Sequence, residues 1–216
     1  MDLLKNAYFF WSILIISNIA MYALNVLISF LWSKHRKLKS LAITQQDVKA
    51  SLITLMVNIL IAIPGYLLYL NGVIVFTGEF FFRDLVILIL LFDFFMYFLH
   101  FLSHKVWPLK ILHKHHHSHI YFNEFSLYVM HPLEAFFFGL VLTLSAYLFD
   151  FNFYSFLVFL FFNWGYGVVA HLNTNSTKKS NFWGNSVFHK EHHSELNGNY
   201  GFYTILWDSI FSTKLK

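Results

Sequence analysis

Apolar residues in this chain run on for longer than a soluble fold accommodates. From Tyr8 to Trp32 the sequence is apolar almost throughout, and it stops at Lys34, His35, Arg36, Lys37 and Lys39. At about 1.5 Å per residue, a helix of that length crosses a bilayer core. It is too long for a signal-peptide core and has no small-residue cleavage site, so it reads as a retained anchor. Val48–Leu70 is a second span, bent or ended near Pro64 and Gly65, where proline removes a backbone donor. Phe80–Leu102 is a third. Leu133–Ala170 is apolar again but broken at Asp150 and Asn152, which reads as a hairpin of two shorter helices over 133–149 and 152–170. The expected fold is all-α: a multi-pass membrane helical bundle, with residues 1–216 as one integral membrane domain.

Composition agrees. Only 12% of the residues are charged, against about a quarter in soluble domains. The net charge of +4 is small and scattered in apolar sequence, which argues against a nucleic-acid partner. With no cysteine, disulfides, thiolate-ligated haem and cysteine-held iron–sulfur clusters are excluded. No GxGxxG or GxxxxGKS stretch points to a bound nucleotide.

Charge also orients the spans. With the amino terminus outside, the 33–47 loop, the 103–132 segment and everything after residue 171 lie inside. Only Lys5 and Arg83 of the fifteen Lys and Arg residues then fall outside, as the positive-inside rule requires. This places the histidines at the cytoplasmic ends of the spans, in the inner membrane of a bacterium or the endoplasmic reticulum of a eukaryote.

Those histidines come in clusters. His100 and His104 are four apart; His113, His116 and His117 share the spacing His-x-x-His-His with His189, His192 and His193. On a helix, residues three and four apart lie on one face, so each cluster can aim its imidazoles at a common point. Eight imidazoles from three segments exceed what one ion needs and suit two, of the kind that imidazole binds: zinc, iron, copper or nickel. His171 follows an apolar segment and is a further ligand candidate. His131 reads equally as a ligand or as the start of a helix. His115 and His119 lie off the ligand stripe, and His35 belongs to a basic stop signal. Asp93 sits deep in the third span, where an ionisable group is a functional candidate by default. With Tyr97, His100 and His104 it forms one helical stripe; its carboxylate either orients a ligating imidazole or bonds to a neighbouring helix.

Taken together, His100-Phe-Leu-Ser-His104, His113-Lys-His-His116-His117 and His189-Lys-Glu-His192-His193 resemble the signature of the fatty acid hydroxylase/sterol desaturase superfamily. So do Asp93 through Tyr97, His131-Pro132-Leu133-Glu134, His171-Leu-Asn173, Asn199-Tyr200-Gly201, Trp207-Asp208 and Phe211-Ser-Thr213. The match runs from about residue 90 to the end. One departure is Ser212, where relatives usually carry glycine at a turn. The resemblance implies a catalytic region over about 93–216. Its ligand set is His100, His104, His113, His116, His117, His131, His171, His189, His192 and His193, with Asp93, Tyr97 and Asn173 serving the reaction beside them. It further implies two iron ions, O2 as co-substrate, and hydroxylation or desaturation of a membrane lipid such as a sterol or fatty acyl chain. Zinc can replace iron in purified protein. Lacking any flavin or nicotinamide fingerprint, the chain is expected to draw electrons from a separate donor such as cytochrome b5, a ferredoxin or a reductase. The lysines of the tail and loops can steer such an acidic partner.

Two rival readings weigh less. A membrane zinc hydrolase needs His-Glu-x-x-His or His-x-x-Glu-His; Glu191 precedes His192, but position 188 is Phe. A metal transporter or sensor needs polar or ionisable groups along several spans, and only Asp93 and the asparagines Asn18, Asn25, Asn58 and Asn163 are available.

Overall fold

The computed structural model describes residues 2–215 and is all-helical, with no strand among the described residues. In chain order the helices are α1 (Asp2–Lys5), α2 (Ala7–His35), α3 (Gln45–Leu60), α4 (Ala62–Leu70), α5 (Phe81–Lys105), α6 (Leu109–His113), α7 (Pro132–Leu148), α8 (Phe153–Ala170), α9 (Ser186–Glu195) and α10 (Leu206–Ile210). Two 3-10 turns, His116–Ser118 and Ser126–Tyr128, lie between α6 and α7. Four segments are long and apolar enough to cross a membrane: Ala7–His35, Gln45–Leu70, Phe81–Lys105 and Phe153–Ala170. The apolar α7, at 17 residues, is the shorter arm of the expected hairpin.

The long helices turn their polar residues inward. In α2 the buried residues are Asn25, Ser29 and Ser33, one per turn, while Leu24, Leu27, Ile28 and Leu31 are exposed. That is the pattern of a helix bathed in lipid, where small polar residues allow close approach and hydrogen bonding between helices. Here Tyr22 and Ser51 of α3 hydrogen-bond at 2.9 Å. The second span breaks at Ile61. Pro64 has no N–H for the carbonyl four residues earlier and its ring crowds that carbonyl, so the helix interrupts one turn ahead of it. Gly139 of α7 packs against this break: a Cβ there would lie 2.4 Å from the Ile61 side chain. The apolar core joins α5 to α8 through Leu88, Phe92 and Phe159, with Phe151 and Tyr203.

The two ends of the bundle are built differently. At one end the hairpin turn docks on the start of α5: Asn152 caps α8, and its own N–H donates to Asp84 at 2.6 Å. The opposite end gathers the carboxyl ends of α2, α5 and α8 with the amino ends of α3 and α7. There Trp32 of α2 donates to the Asn173 carbonyl at 2.8 Å, and Asp47 of α3 reaches His119 at 3.1 Å. Every clustered histidine lies at this end.

Candidate metal centre

The histidines form two adjoining groups, not three. His100, His104, His113, His117 and His192 make one; His116, His171, His189 and His193 make the other. Within each, one nitrogen per ring lies within 4.8 Å of all the others. The first pair behaves as its spacing predicts, since His100 and His104 on α5 serve the same group. The two His-x-x-His-His clusters do not. Each divides between the groups, His117 from His116 and His192 from His193. The reason is local geometry. Sequence neighbours on a helix point about 100° apart, so adjacent histidines face different points. In α9, His189 and His193, four apart, share a group while His192 turns to the other. His113 ends α6 and His116 and His117 lie on a 3-10 turn, so these three do not share one continuous helix.

The nitrogens converge as ligands do. His117 Nε2 lies 3.0 Å from His104 Nε2, 2.9 Å from His113 Nε2 and 3.1 Å from His192 Nε2. In the second group, His171 Nε2 lies 3.4 Å from His116 Nε2 and 3.2 Å from His189 Nε2, and His193 Nε2 is 3.1 Å from His189 Nε2. Nitrogens about 2.1 Å from a shared divalent ion are separated by about 3.0 Å along octahedral and about 3.4 Å along tetrahedral edges, so both groups have the dimensions of a coordination shell. His100 Nε2 is buried without a hydrogen-bond partner, as a ring nitrogen reserved for an ion would be. The two groups abut, with the rings of His117 and His193 4.4 Å apart.

Hydrogen bonds on the far side of the rings hold this geometry. Nδ1–H of His100 donates to the Tyr200 carbonyl at 2.9 Å, that of His116 to Val129 at 3.2 Å, that of His171 to Gly167 at 2.9 Å and that of His192 to Gly198 at 2.7 Å. Of the nine grouped rings, only His113 meets a carboxylate among the described residues, Glu134 at 2.5 Å. A proton fixed on Nδ1 leaves the Nε2 lone pair for a metal. Burial, reinforced by neighbouring imidazoles, drives the pKa values of His116, His189, His192 and His193 far below the ordinary imidazole value. His117 is pushed down to about 2 and His171 to about 4, burial again the first cause. Burial thus disfavours the charged form of these six rings, and a neutral ring keeps its Nε2 lone pair for a metal.

The other expected site residues stand outside the two groups. His131 caps α7: its Nδ1 accepts from Leu133 N–H at 3.2 Å, and Glu134 accepts its backbone N–H, completing a capping box. Asp93 reaches no imidazole. Its carboxylate takes the N–H groups of Tyr203 and Thr204, the Thr204 hydroxyl and the Trp207 indole at 2.5–3.2 Å, so it fastens the carboxyl-terminal segment onto α5. Tyr97 bonds Thr213 at 3.2 Å and stacks on Phe101 and Phe211. Asn173 holds both the N–H and the carbonyl of Phe122, whose buried ring packs on His171, His189 and His193 at centroid distances of 5.2, 6.0 and 5.1 Å. Asp93, Tyr97 and Asn173 thus act on the histidines indirectly, by holding the segments beside them.

Several supporting residues are not evident from spacing. Asp208 accepts from Tyr200 and Gly201 N–H at 2.9 and 2.6 Å and from Thr213 at 2.7 Å, which sets the carbonyl that His100 uses. A Cβ on Gly201 would lie 2.4 Å from the Thr204 carbonyl, so this tight turn requires glycine. Buried His119 bridges Ser126 at 2.7 Å and Asp47 at 3.1 Å, tying the histidine loop to α3. Glu134 is signalled by its capping-box spacing from His131, but its hold on His113 is visible only in three dimensions.

Comparison with known proteins adds an independent line. The sequence profile described as fatty acid hydroxylase matches residues 85–213, which include both histidine groups. A Delta(7)-sterol 5(6)-desaturase of Candida albicans is 32% identical over 188 residues, covering 76% of this chain and 45% of that protein. A Dictyostelium discoideum protein that carries only the name of a methylsterol monooxygenase is 32% identical over 128 residues, 57% of this chain and 47% of its own. The chain thus spans about half the length of the curated relatives it matches. No solved structure matches.

Proposed function

This chain belongs to the fatty acid hydroxylase family, and we propose that it is an O2-dependent di-iron oxidoreductase of the membrane that hydroxylates or desaturates a sterol or related lipid. The observation that carries the reading is the pair of abutting all-imidazole groups, five and four rings, at one end of a lipid-facing bundle. Iron held there by these imidazoles would supply the redox chemistry needed for dioxygen to oxidise an unactivated C–H bond, which no side chain performs unaided. The chain's own residues set the conditions. Nδ1 donation to Tyr200, Val129, Gly167, Gly198 and Glu134 aims the Nε2 lone pairs inward. Burial disfavours the charged form of His116 and His189, and Phe122 and Tyr200, both fully buried, pack against the histidine rings. The names of the sterol-oxidising relatives support a lipid substrate drawn from the bilayer. The Lys and Arg distribution supports a cytoplasmic position for the histidine end, where a separate electron donor docks. Asp93, saturated by four donors, does not serve as the midplane carboxylate that a transport path needs.

Lipid mass spectrometry tests this. Iron-loaded protein with a competent donor, supplied with 18O2, should yield an 18O-labelled alcohol or an alkene. His116→Ala or His192→Ala should abolish turnover, and exposed His35→Ala should leave it unchanged. Turnover that survives His116→Ala or the removal of oxygen refutes the assignment.

A further inference from the structure

Among the five rings of the two groups whose Nδ1 has a hydrogen-bond partner, four donate to backbone carbonyls and one, His113, donates to a carboxylate. That carboxylate, Glu134, is itself buried. Its two oxygens do different work: Oε1 accepts from His113 at 2.5 Å and Oε2 accepts the His131 backbone N–H at 3.2 Å. The second bond belongs to the α7 capping box, and so anchors the first to the rigid start of a 17-residue helix. On its far side, His113 Nε2 lies 2.9 Å from His117 Nε2. A charge-assisted hydrogen bond is about twice as strong as a neutral one, and a carboxylate partner makes an imidazole a better electron donor to a metal. The five-histidine group has this device; no ring of the four-histidine group bonds a carboxylate among the described residues.

We infer that Glu134 is a positioning residue that fixes the tautomer of His113 and makes the five-histidine position the tighter of the two metal sites. The inference rests on the two-metal reading above. Glutamine is the informative replacement, because it preserves size while exchanging one acceptor for a donor. If its oxygen faces His113, its NH2 meets the His131 N–H and the cap is lost. If its NH2 faces His113, the ring must accept at Nδ1 and carry its proton on Nε2, where it blocks ligation.

Cobalt(II) titration of the purified full chain in detergent, followed by d–d absorption, separates these roles without any turnover. Wild type should take two ions, one more tightly. Glu134→Gln should still take two, with the tight one weakened about 10- to 100-fold and the other unchanged. In a His171→Ala background, which disables the four-histidine position, Glu134→Gln should weaken the single remaining ion by the same factor. Unchanged affinities, or equal weakening of both ions as a merely structural cap would cause, overturn the inference. A wild type that binds no second ion defeats the two-metal reading itself, a result distinct from either.

Discussion

Removing the Asp93 carboxylate should release the carboxyl-terminal segment from α5, and the cost can be worked from its four bonds. Oδ1 holds the backbone N–H groups of Tyr203 and Thr204 at 3.1 and 2.9 Å; Oδ2 holds the Thr204 hydroxyl at 2.5 Å and the Trp207 indole at 3.2 Å. Asp93→Ala strands two backbone donors and one indole, while the threonine hydroxyl can turn elsewhere. Three stranded donors at about 1–3 kcal/mol each, less the desolvation that the carboxylate no longer suffers, give roughly 3–5 kcal/mol. Asp93→Asn keeps one oxygen for the two backbone donors, and its amide can donate to the Thr204 hydroxyl. It loses the indole alone, at about 1–3 kcal/mol. The loss should also be local. The same segment presents the Tyr200 and Gly198 carbonyls to His100 and His192, both in the five-histidine group, so that group should release its ion first. Thermal unfolding in detergent, with metal analysis of each variant, provides both readouts. Asparagine as damaging as alanine, or an alanine variant within about 0.5 kcal/mol of wild type, the range of neutral surface changes, would refute the reasoning.

Acid should destabilise chelator-treated protein steeply. His116, His117, His171, His189, His192 and His193 have folded-state pKa values below the ordinary 6.5. Below that pH the unfolded chain binds more protons, so the stability present above about 6.5 falls as pH drops toward the folded values. The slope is about 1.4 kcal/mol per pH unit for each histidine protonated only when unfolded, and a melting temperature flat from pH 7 to 5 contradicts it. Ser212 occupies the left-handed region at φ 55°, a conformation that favours glycine. Ser212→Gly should therefore raise stability by about 1 kcal/mol; a lower melting temperature would show that the serine side chain holds the turn in some other way.

The scaffold is largely legible in the sequence because its signals are local. Apolar length marks the spans, Pro64 marks the break at Ile61, and Asp150 and Asn152 mark the turn between α7 and α8. The gathering of histidines is legible too, since their spacing repeats. Their partition is less so: adjacency in His116-His117 and His192-His193 carries the signal, but helical-face reasoning about the three-residue and four-residue spacings hides it. The partners of Asp93 and Glu134 are illegible for a different reason. Asp93 bonds residues 110 to 114 positions away, and Glu134 meets His113 across 21. No periodicity encodes such a choice. The sequence leaves Asp93 either orienting an imidazole or bonding a neighbouring helix; its bonds go to the carboxyl-terminal segment, and the carboxylate that meets a grouped imidazole starts another helix.

The interleaving has a physical consequence for how this end of the bundle forms. The 3-10 turn and α9 each contribute to both groups, so neither group is complete until both segments have docked. Docking is secured by bonds that do not involve the nine grouped rings: Asp93 and Asp208 on the carboxyl-terminal segment, Asn173 on Phe122, and His119 between Asp47 and Ser126. Nine imidazoles crowded with their nitrogens converging offer little mutual attraction, and Nδ1 of His189 and His193 is buried without a hydrogen-bond partner among the described residues. The hydrogen-bonded frame therefore bears the assembly, and ions that satisfy the converging nitrogens add their binding energy to it. Metal affinity and stability at this end are one linked quantity, and changes to the frame that touch no histidine act on both.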